Sequence, residues 1–220
     1  MASRAELREQ KKKTSNALIN AAIELCAEEG YASLSIRSVA RKAGIAPTSF
    51  YRHFRDIDEL GVAIVDKAKI VLTNCINQIR QKMPESCGDN VFTSEQLLQS
   101  IESLVRPFVE TFIECIKQNN QLLCLFFQER TGNSEQMRKS ISEGIDSLIE
   151  ALNQDLKRIH KDISKENIDI SLISESMIAI AIYDSVAMLL DQKLENSQII
   201  ENIIKKLNWL LLGALRKNEF

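Results

Sequence analysis

Residues that break helices are scarce in this chain: three prolines and seven glycines in 220 residues leave few places where a helix must end. Alternating runs of Val, Ile and Thr are missing too, which removes the pattern of a half-buried strand. An all-α fold of about nine helices is expected. Five cysteines, at 26, 75, 87, 115 and 124, contain no C-x-x-C pair, and the two histidines lie far apart at 53 and 160. Such spacing does not support a zinc site or a Cys/His nucleophile, so no metal, no cofactor and no catalytic residue is assigned. The odd cysteine count favours a reducing cytoplasm. The segment 1–13 carries Arg4, Arg8, Lys11, Lys12 and Lys13 without an apolar h-region, so it does not read as a secretory signal. The most apolar run, Met177 to Leu190, is too short for a membrane span and is interrupted by Asp184 and Ser185, so membrane insertion is not expected.

What is present is concentrated between Ser33 and Leu60, SLSIRSVARKAGIAPTSFYRHFRDIDEL. Ser35 precedes Ile36, Val39, Ala40 and Ala43, whose steps of three and four place one apolar stripe on a short helix with Ser35 as its N-cap. Gly44 stands where that helix must turn, because glycine adopts the left-handed conformation without a Cβ penalty. Pro47 suits the first turn of a second helix, expected over about 47–54. On it Phe50 and Phe54 are four apart and face inward, which leaves Thr48, Ser49, Tyr51, Arg52 and His53 on the outer sides. Together with Ser35, Arg37 and Pro47 they form a candidate DNA face of helix-turn-helix type, since hydroxyls, guanidinium and imidazole are groups that bond phosphates and base edges. Periodicity alone fits equally a helical hairpin with a solvated polar face. Charge is asymmetric: residues 1–55 hold 10 Lys/Arg against 5 Asp/Glu, and the remainder 18 against 25, within an overall net charge of −2. The basic character therefore lies where DNA would sit.

The segment VARKAGIAPTSFYRHF resembles the N-terminal domain of TetR-family transcriptional repressors, and the likeness covers roughly the first 65 residues. Within the family, GIAPTSFYRHFRDIDELG and the later QERTGNS (Gln128 to Ser134) are most similar to the FabR-like repressors of unsaturated fatty-acid synthesis, a subgroup related to the desaturase regulator DesT. One position departs from the family pattern: many members place a phosphate-holding Lys where this chain has Ile57. The resemblance implies a cytoplasmic homodimer that binds a partly palindromic double-stranded DNA operator and a small-molecule effector, here a long-chain acyl-CoA or acyl-carrier protein. A family regulator of drug efflux sensing a flat hydrophobic or cationic molecule is the alternative.

The rest of the chain is read as helices. Residues 1–13 are expected to be a basic arm or an extension of helix 1, whose apolar stripe runs from Ala17 to Cys26 and ends at Gly30. Asp56 is read as the N-cap of helix 4, which continues to about Lys82, with Asp58 and Glu59 in its first turn. Pro84 to Thr93 reads as a loop, and Cys87 within it as the one exposed thiol, although Glu85 and Asp89 are the wrong neighbours for a reactive one. Pro107 is expected to kink the next helix. Leu104, Phe108, Val109, Phe112, Leu123, Phe126, Phe127 and Ile145 are candidate walls of an apolar effector site, with Arg130 at its mouth; ordinary core packing is the competing reading for the aromatics. Ser134 is read as the cap of helix 7, which ends near His160. Apolar faces on helices 8 (about 167–191) and 9 (about 197–215) exceed what one chain easily hides, so Ile203, Leu207, Leu210 and Leu211 are assigned to a two-fold dimer bundle. The division expected is a DNA-binding domain over 1–60 and an effector-binding and dimerisation domain over 61–220.

Overall fold

Short-range capping starts several helices of the computed structural model, which describes residues 3–84, 94–159, 169–190 and 196–216. Ser3 and Glu6 cap each other's backbone at α1 (Arg4–Glu29), and Ser35 and Ser38 do the same at α2 (Ile36–Lys42), each pair satisfying two otherwise unbonded N–H groups. The Asp56 carboxylate accepts from the Glu59 N–H (2.8 Å) at α4 (Ile57–Lys82). Ser134 Oγ accepts from the Met137 N–H (3.4 Å) at α7 (Glu135–Ile159). The other helices are α3 (Pro47–Phe50), α5 (Ser94–Gln118), α6 (Asn120–Gln128), α8 (Ile170–Leu190) and α9 (Asn196–Arg216), with 3-10 turns at Tyr31–Ser33 and Glu129–Thr131. Among the described residues there are nine α-helices and no strand.

Two elements bear on expectations from the sequence. α1 begins at Arg4, so of the two readings of the basic stretch the helical extension is the one found; Arg, Lys, Glu and Gln are good helix formers, and the Ser3–Glu6 box supplies the start. α5 continues through Pro107 as one element.

By packing, the chain forms two compact units. The first joins Met1–Lys69 with Gln121–Glu143, the second Ile70–Asn120 with Gly144–Phe220. In the first, α1 packs on α2 and α2 on α3, over a buried interior that includes Leu18, Val39, Phe50, Leu60, Leu123 and Phe126. Gly61 permits a close approach there: a Cβ on it would collide with the Tyr31 hydroxyl and the Met137 side chain. The Tyr31 hydroxyl donates to the Ile57 carbonyl (3.0 Å), joining the 3-10 turn to the start of α4.

In the second unit α5 packs on α8 and α9, and α8 on α9. Phe108 and Phe112 stack with ring centroids 6.0 Å apart and are fully buried with Ile113 and Ile116; each such side chain contributes roughly 1.5–3 kcal/mol by leaving water. Several polar groups that enter this core are paired, while Asn153 Oδ1 and Asn208 Oδ1 are buried without a hydrogen-bond partner. Arg80 Nε donates to both Asp155 carboxylate oxygens (2.7 and 3.0 Å), and the Ser174 and Ser185 hydroxyls return to the carbonyls of Ile170 and Ala181. α8 is long and apolar enough to cross a membrane by length and composition, which exceeds the expectation from the Met177 to Leu190 run because the helix starts at Ile170. In this fold it is a core helix: Met177, Ile178, Ala181 and Ile182 are buried, and Asp184 accepts from Lys206 Nζ of α9 (2.7 Å). Cys87, His160 and most of the Pro84 to Thr93 loop lie outside the described residues.

Candidate nucleic-acid interface

The turn between α2 and α3 is built by backbone hydrogen bonds that depend on one glycine. Gly44 has φ +72°, and this lets the Ile45 N–H reach back to the Ala40 carbonyl (3.0 Å) while the Gly44 N–H bonds the Arg41 carbonyl (3.2 Å). Both bonds of a Schellman closure are thus present, and the chain leaves α2 at a fixed angle. Ala46 is extended, and Pro47 then occupies the first turn of α3, where its missing N–H is not needed.

The recognition helix is shorter than the expected 47–54. Regular helix covers Pro47–Phe50, after which the Arg52 N–H bonds the Ser49 carbonyl (3.2 Å) and the His53 N–H the Phe50 carbonyl (2.8 Å). These bonds close over three residues, so the last turn is tightened in 3-10 fashion. Phe50 and Phe54 are buried, as their spacing predicts, with ring centroids 5.8 Å apart. Tyr51 sets its ring edge against Phe50 at 5.9 Å and remains 62% exposed, which places its hydroxyl end in solvent. Arg37, Pro47, Thr48 and Arg52 are exposed, and Ser49 and His53 half-buried. Ser35 is exposed as well, but its hydroxyl already serves the α2 cap, bonded to the Ser38 N–H at 3.1 Å.

His53 has an enclosed Nδ1 without a partner. Its pKa is lowered from the usual histidine value by burial first, then by the positive charges of Lys11 and Arg52. The imidazole is therefore held neutral near pH 7. Lys11 belongs to the N-terminal part of α1, so the basic stretch lies within electrostatic reach of the recognition turn; Arg4, Arg8, Lys11 and Lys12 are all exposed there. Sequence reasoning singled out these cations and left open whether an arm or an extension of helix 1 presents them.

The acidic first turn of α4 is turned away from any phosphate role by its own hydrogen bonds. Glu59 Oε2 accepts from the Arg55 N–H (2.6 Å) and from Arg55 Nε (3.1 Å), and these bonds lower its pKa, that from the backbone most. Ile57 is half-buried, and its carbonyl is taken by Tyr31. Tyr31 was not singled out in the sequence; its hydroxyl also meets the Asp58 carboxylate at 3.5 Å.

The candidate effector residues fall in both packing units. Leu104, Phe108, Val109, Phe112 and Ile145 belong to the second unit, Leu123, Phe126, Phe127 and Arg130 to the first. All the aromatic and leucine members are buried, Val109 as well, while Ile145 is half-buried and Arg130 exposed. Phe126 and Phe127 meet edge to face at 5.3 Å. Beside Arg130, Glu129 is turned inward: burial raises its pKa, and a Cβ at Gly132 would occupy the place of its carboxylate.

The assigned dimer residues are in the subunit's own interior. Ile203, Leu207 and Leu211 are buried within this chain and Leu210 is half-buried. α9 spends that stripe on α5 and α8. Among the described residues, the large apolar side chains that α8 and α9 leave exposed are Leu172, Tyr183 and Trp209.

Residues 18–64 match the family model of bacterial regulatory proteins, tetR family, a span that includes the whole reader. The complete fold is similar to that of solved structures at low sequence identity. One is the fatty acid degradation regulator FadR from Bacillus halodurans, 18% identical, TM-score 0.65, covering 92% of this chain and 96% of that one. Another is a proposed fatty acid metabolism regulator of Clostridium perfringens, 21% identical, TM-score 0.61, covering 90% and 97%. A third is SmeT in complex with triclosan, 15% identical, TM-score 0.67, covering 91% of each chain. The N-terminal part of this chain is thus similar to the tetR-type regulatory domain, and the chain has an all-helical fold like that of these solved structures.

Proposed function

We propose that this protein is a dimeric transcriptional repressor of the TetR family that controls unsaturated fatty-acid and membrane-lipid synthesis genes in response to long-chain acyl thioesters. The observation that carries the DNA-binding part is the reader itself: a glycine-closed turn presenting Thr48, Tyr51 and Arg52 outward on a buried Phe50–Phe54 anchor. Repression needs no chemistry, because occupying a promoter excludes polymerase. Two readers in a homodimer fit a partly palindromic operator with half-sites one or more helical turns apart, ~34–36 Å per turn. Leu172, Tyr183 and Trp209 are the exposed side chains of α8 and α9 that fit such an interface.

The effector reading is supported by the apolar, aromatic interior of α5 and by the QERTGNS segment, which is similar to that of FabR-like repressors. Structural neighbours named as fatty acid regulators agree with it. Arg130, exposed and with no ion pair among the described residues, is proposed to meet the phosphates or carrier protein of an acyl thioester. An effector can alter DNA binding only by preferring one state of the protein, and a 5- to 150-fold change corresponds to about 1–3 kcal/mol of coupling.

The test is operator binding measured in the presence of saturated and unsaturated acyl-CoA of equal length. The reading requires that both alter affinity and that they differ from each other; Val109→Trp should abolish the response and leave binding of the unliganded protein unchanged. Release by flat hydrophobic or cationic drugs, with no acyl effect, would establish the efflux-regulator alternative, toward which the likeness to the triclosan-bound SmeT points.

A further inference from the structure

The first turns of α1 stand clear of the fold and carry charge that no other described residue takes up. Residues 3–13 are all exposed, whereas the same helix is buried from Leu18 onward, through Ile19, Ala22, Leu25 and Cys26. At 3.6 residues per turn, steps of four and three set Arg4, Arg8 and Lys11 in line with Ser15, Leu18, Ala22 and Leu25. The overhang therefore presents its cations from the same face that is packed into the domain two turns later. Lys12 borders this line, while Glu6, Glu9 and Lys13 fall on the opposite side, and the Glu6 carboxylate is occupied by the Ser3 N–H (2.6 Å). Among the described residues Arg4, Arg8, Lys11 and Lys12 make no ion pair. At the other end of the helix, by contrast, Glu24 and Glu28 hold Lys42 of α2 (3.2 and 3.6 Å).

We propose that the stripe of Arg4, Arg8, Lys11 and Lys12 is a second DNA contact, which grips backbone phosphates beside the base pairs met by the recognition helix. The inference rests on the DNA-reading assignment above and adds to it an anchor that carries no sequence information. One cation per turn, at intervals of about 5–6 Å along the axis, is a row that can follow a polyanion. Residues 4–13 extend for about 15 Å, the rise of roughly four base pairs of duplex. The Ser3–Glu6 box fixes the start of this helix, so the row is presented by a formed element rather than by a chain that must be ordered on binding. The overhang and the reader belong to the same packing unit, and the Lys11 charge reaches the His53 ring beside the recognition turn. The start of α4 offers no comparable anchor, since Arg55 is engaged by Glu59 (3.1 Å). Leu7 is the one large apolar side chain exposed along residues 3–13, far less than the broad apolar face with which a helix enters a lipid surface.

The experiment compares the full wild-type chain with R4Q/R8Q/K11Q and, charge for charge, R8Q with K13Q, on a duplex that the wild type itself selects from a random library. Glutamine is a good helix former and these positions are exposed, and circular dichroism checks that each variant keeps its helix content. Fluorescence anisotropy over a series of salt concentrations gives the slope of log affinity against log salt. The triple variant should reduce that slope by ~2.7, at ~0.9 per phosphate contact, and lose affinity by the same factor on duplexes altered in the selected bases. R8Q alone should reduce it by ~0.9, and K13Q, which removes the same charge from the other face, should leave it unchanged. Equal slopes for the wild type and the triple variant overturn the proposal and leave the reader's DNA binding standing. So does an equal loss in R8Q and K13Q, the mark of a diffuse charge effect. Failure of the wild type to select any duplex overturns the DNA reading itself and this contact with it. Binding to phosphatidylserine vesicles that the triple variant loses, with its DNA slope unaltered, reassigns the stripe to a membrane surface.

Discussion

Between Ser35 and Leu60 each change of chain direction has its cause within a few residues, whereas α5, α8 and α9 owe their arrangement to partners far away in sequence. In the reader a serine starts α2, a glycine at φ +72° ends it, a proline opens α3 and an aspartate caps α4. In the second unit the helices are apolar on broad faces, and α9 lies against both α5 and α8. The lesson is that one-residue changes should act locally and moderately in the reader, and globally in the helical body.

The largest expected effect tests the body. Leu207 is fully buried, so Leu207→Glu places an unpaired carboxylate in the core and should destabilise by about 5 kcal/mol or more, lowering the melting temperature whatever the protein concentration. Trp209→Glu, at a side chain 73% exposed, should leave the fold intact and lower only the sedimentation mass. A folded monomer from Leu207→Glu would return that residue to the dimer interface.

Next in size are the readers' outward groups. Arg37→Ala should lose ~1–3 kcal/mol of operator affinity with relaxed preference at particular base pairs, as expected for a bidentate base contact, while Tyr51→Phe should weaken all sequences alike. Competition binding against a panel of operator variants distinguishes the two patterns. Unchanged affinity and unchanged preference for Arg37→Ala would show that Arg37 makes no DNA contact.

The turn provides a cleaner local test. Gly44 has open space where a Cβ would be, so Gly44→Ala costs only the backbone penalty of a left-handed residue, about 1–2 kcal/mol. Urea denaturation monitored at the reader should show this loss. A value near zero would mean that the turn relaxes to another conformation.

The smallest effect is a pH slope. The folded His53 has a pKa below the ordinary 6.5, so the unfolded chain binds more protons as pH falls through that value. The stability associated with the neutral imidazole is fully present above pH 6.5 and is lost on acidification down to the folded pKa. His53→Gln should flatten stability against pH as the solution is acidified below the ordinary histidine value of 6.5. DNA phosphates near the ring should oppose the shift, so the slope should lessen in the operator complex.

Legibility followed the same division. Ser35, Gly44, Pro47, Asp56 and Ser134 act as their neighbours in sequence predict, because caps and turns satisfy hydrogen bonds over three to five residues. The buried Phe50–Phe54 pair was likewise visible as a step of four. The start of α1 was less so: a run of cations reads equally as an arm or as an extension of helix 1 until the Ser3–Glu6 box is recognised as a helix start. The shortness of α3 was hidden because 3-10 and α turns share much of their apolar spacing. Tyr31 and Gly61 carried no local signal, since their meaning is a contact with each other and with Met137. The functional division at about residue 60 stays a proposal, set beside a packing division that places Gln121–Glu143 with the reader.

The sequence by itself determined the all-helical class, the reader and its inward phenylalanines, because those depend on periodicity, on the φ freedom of glycine and on groups a few residues apart. Only the tertiary structure decided which apolar stripe of α9 is interior. Ile203, Leu207 and Leu211 satisfy the pattern of a dimer seam as well as that of a core, and hydrophobic burial is non-directional: a helix records that a face must be covered, not whether another helix of the same chain or of a partner covers it.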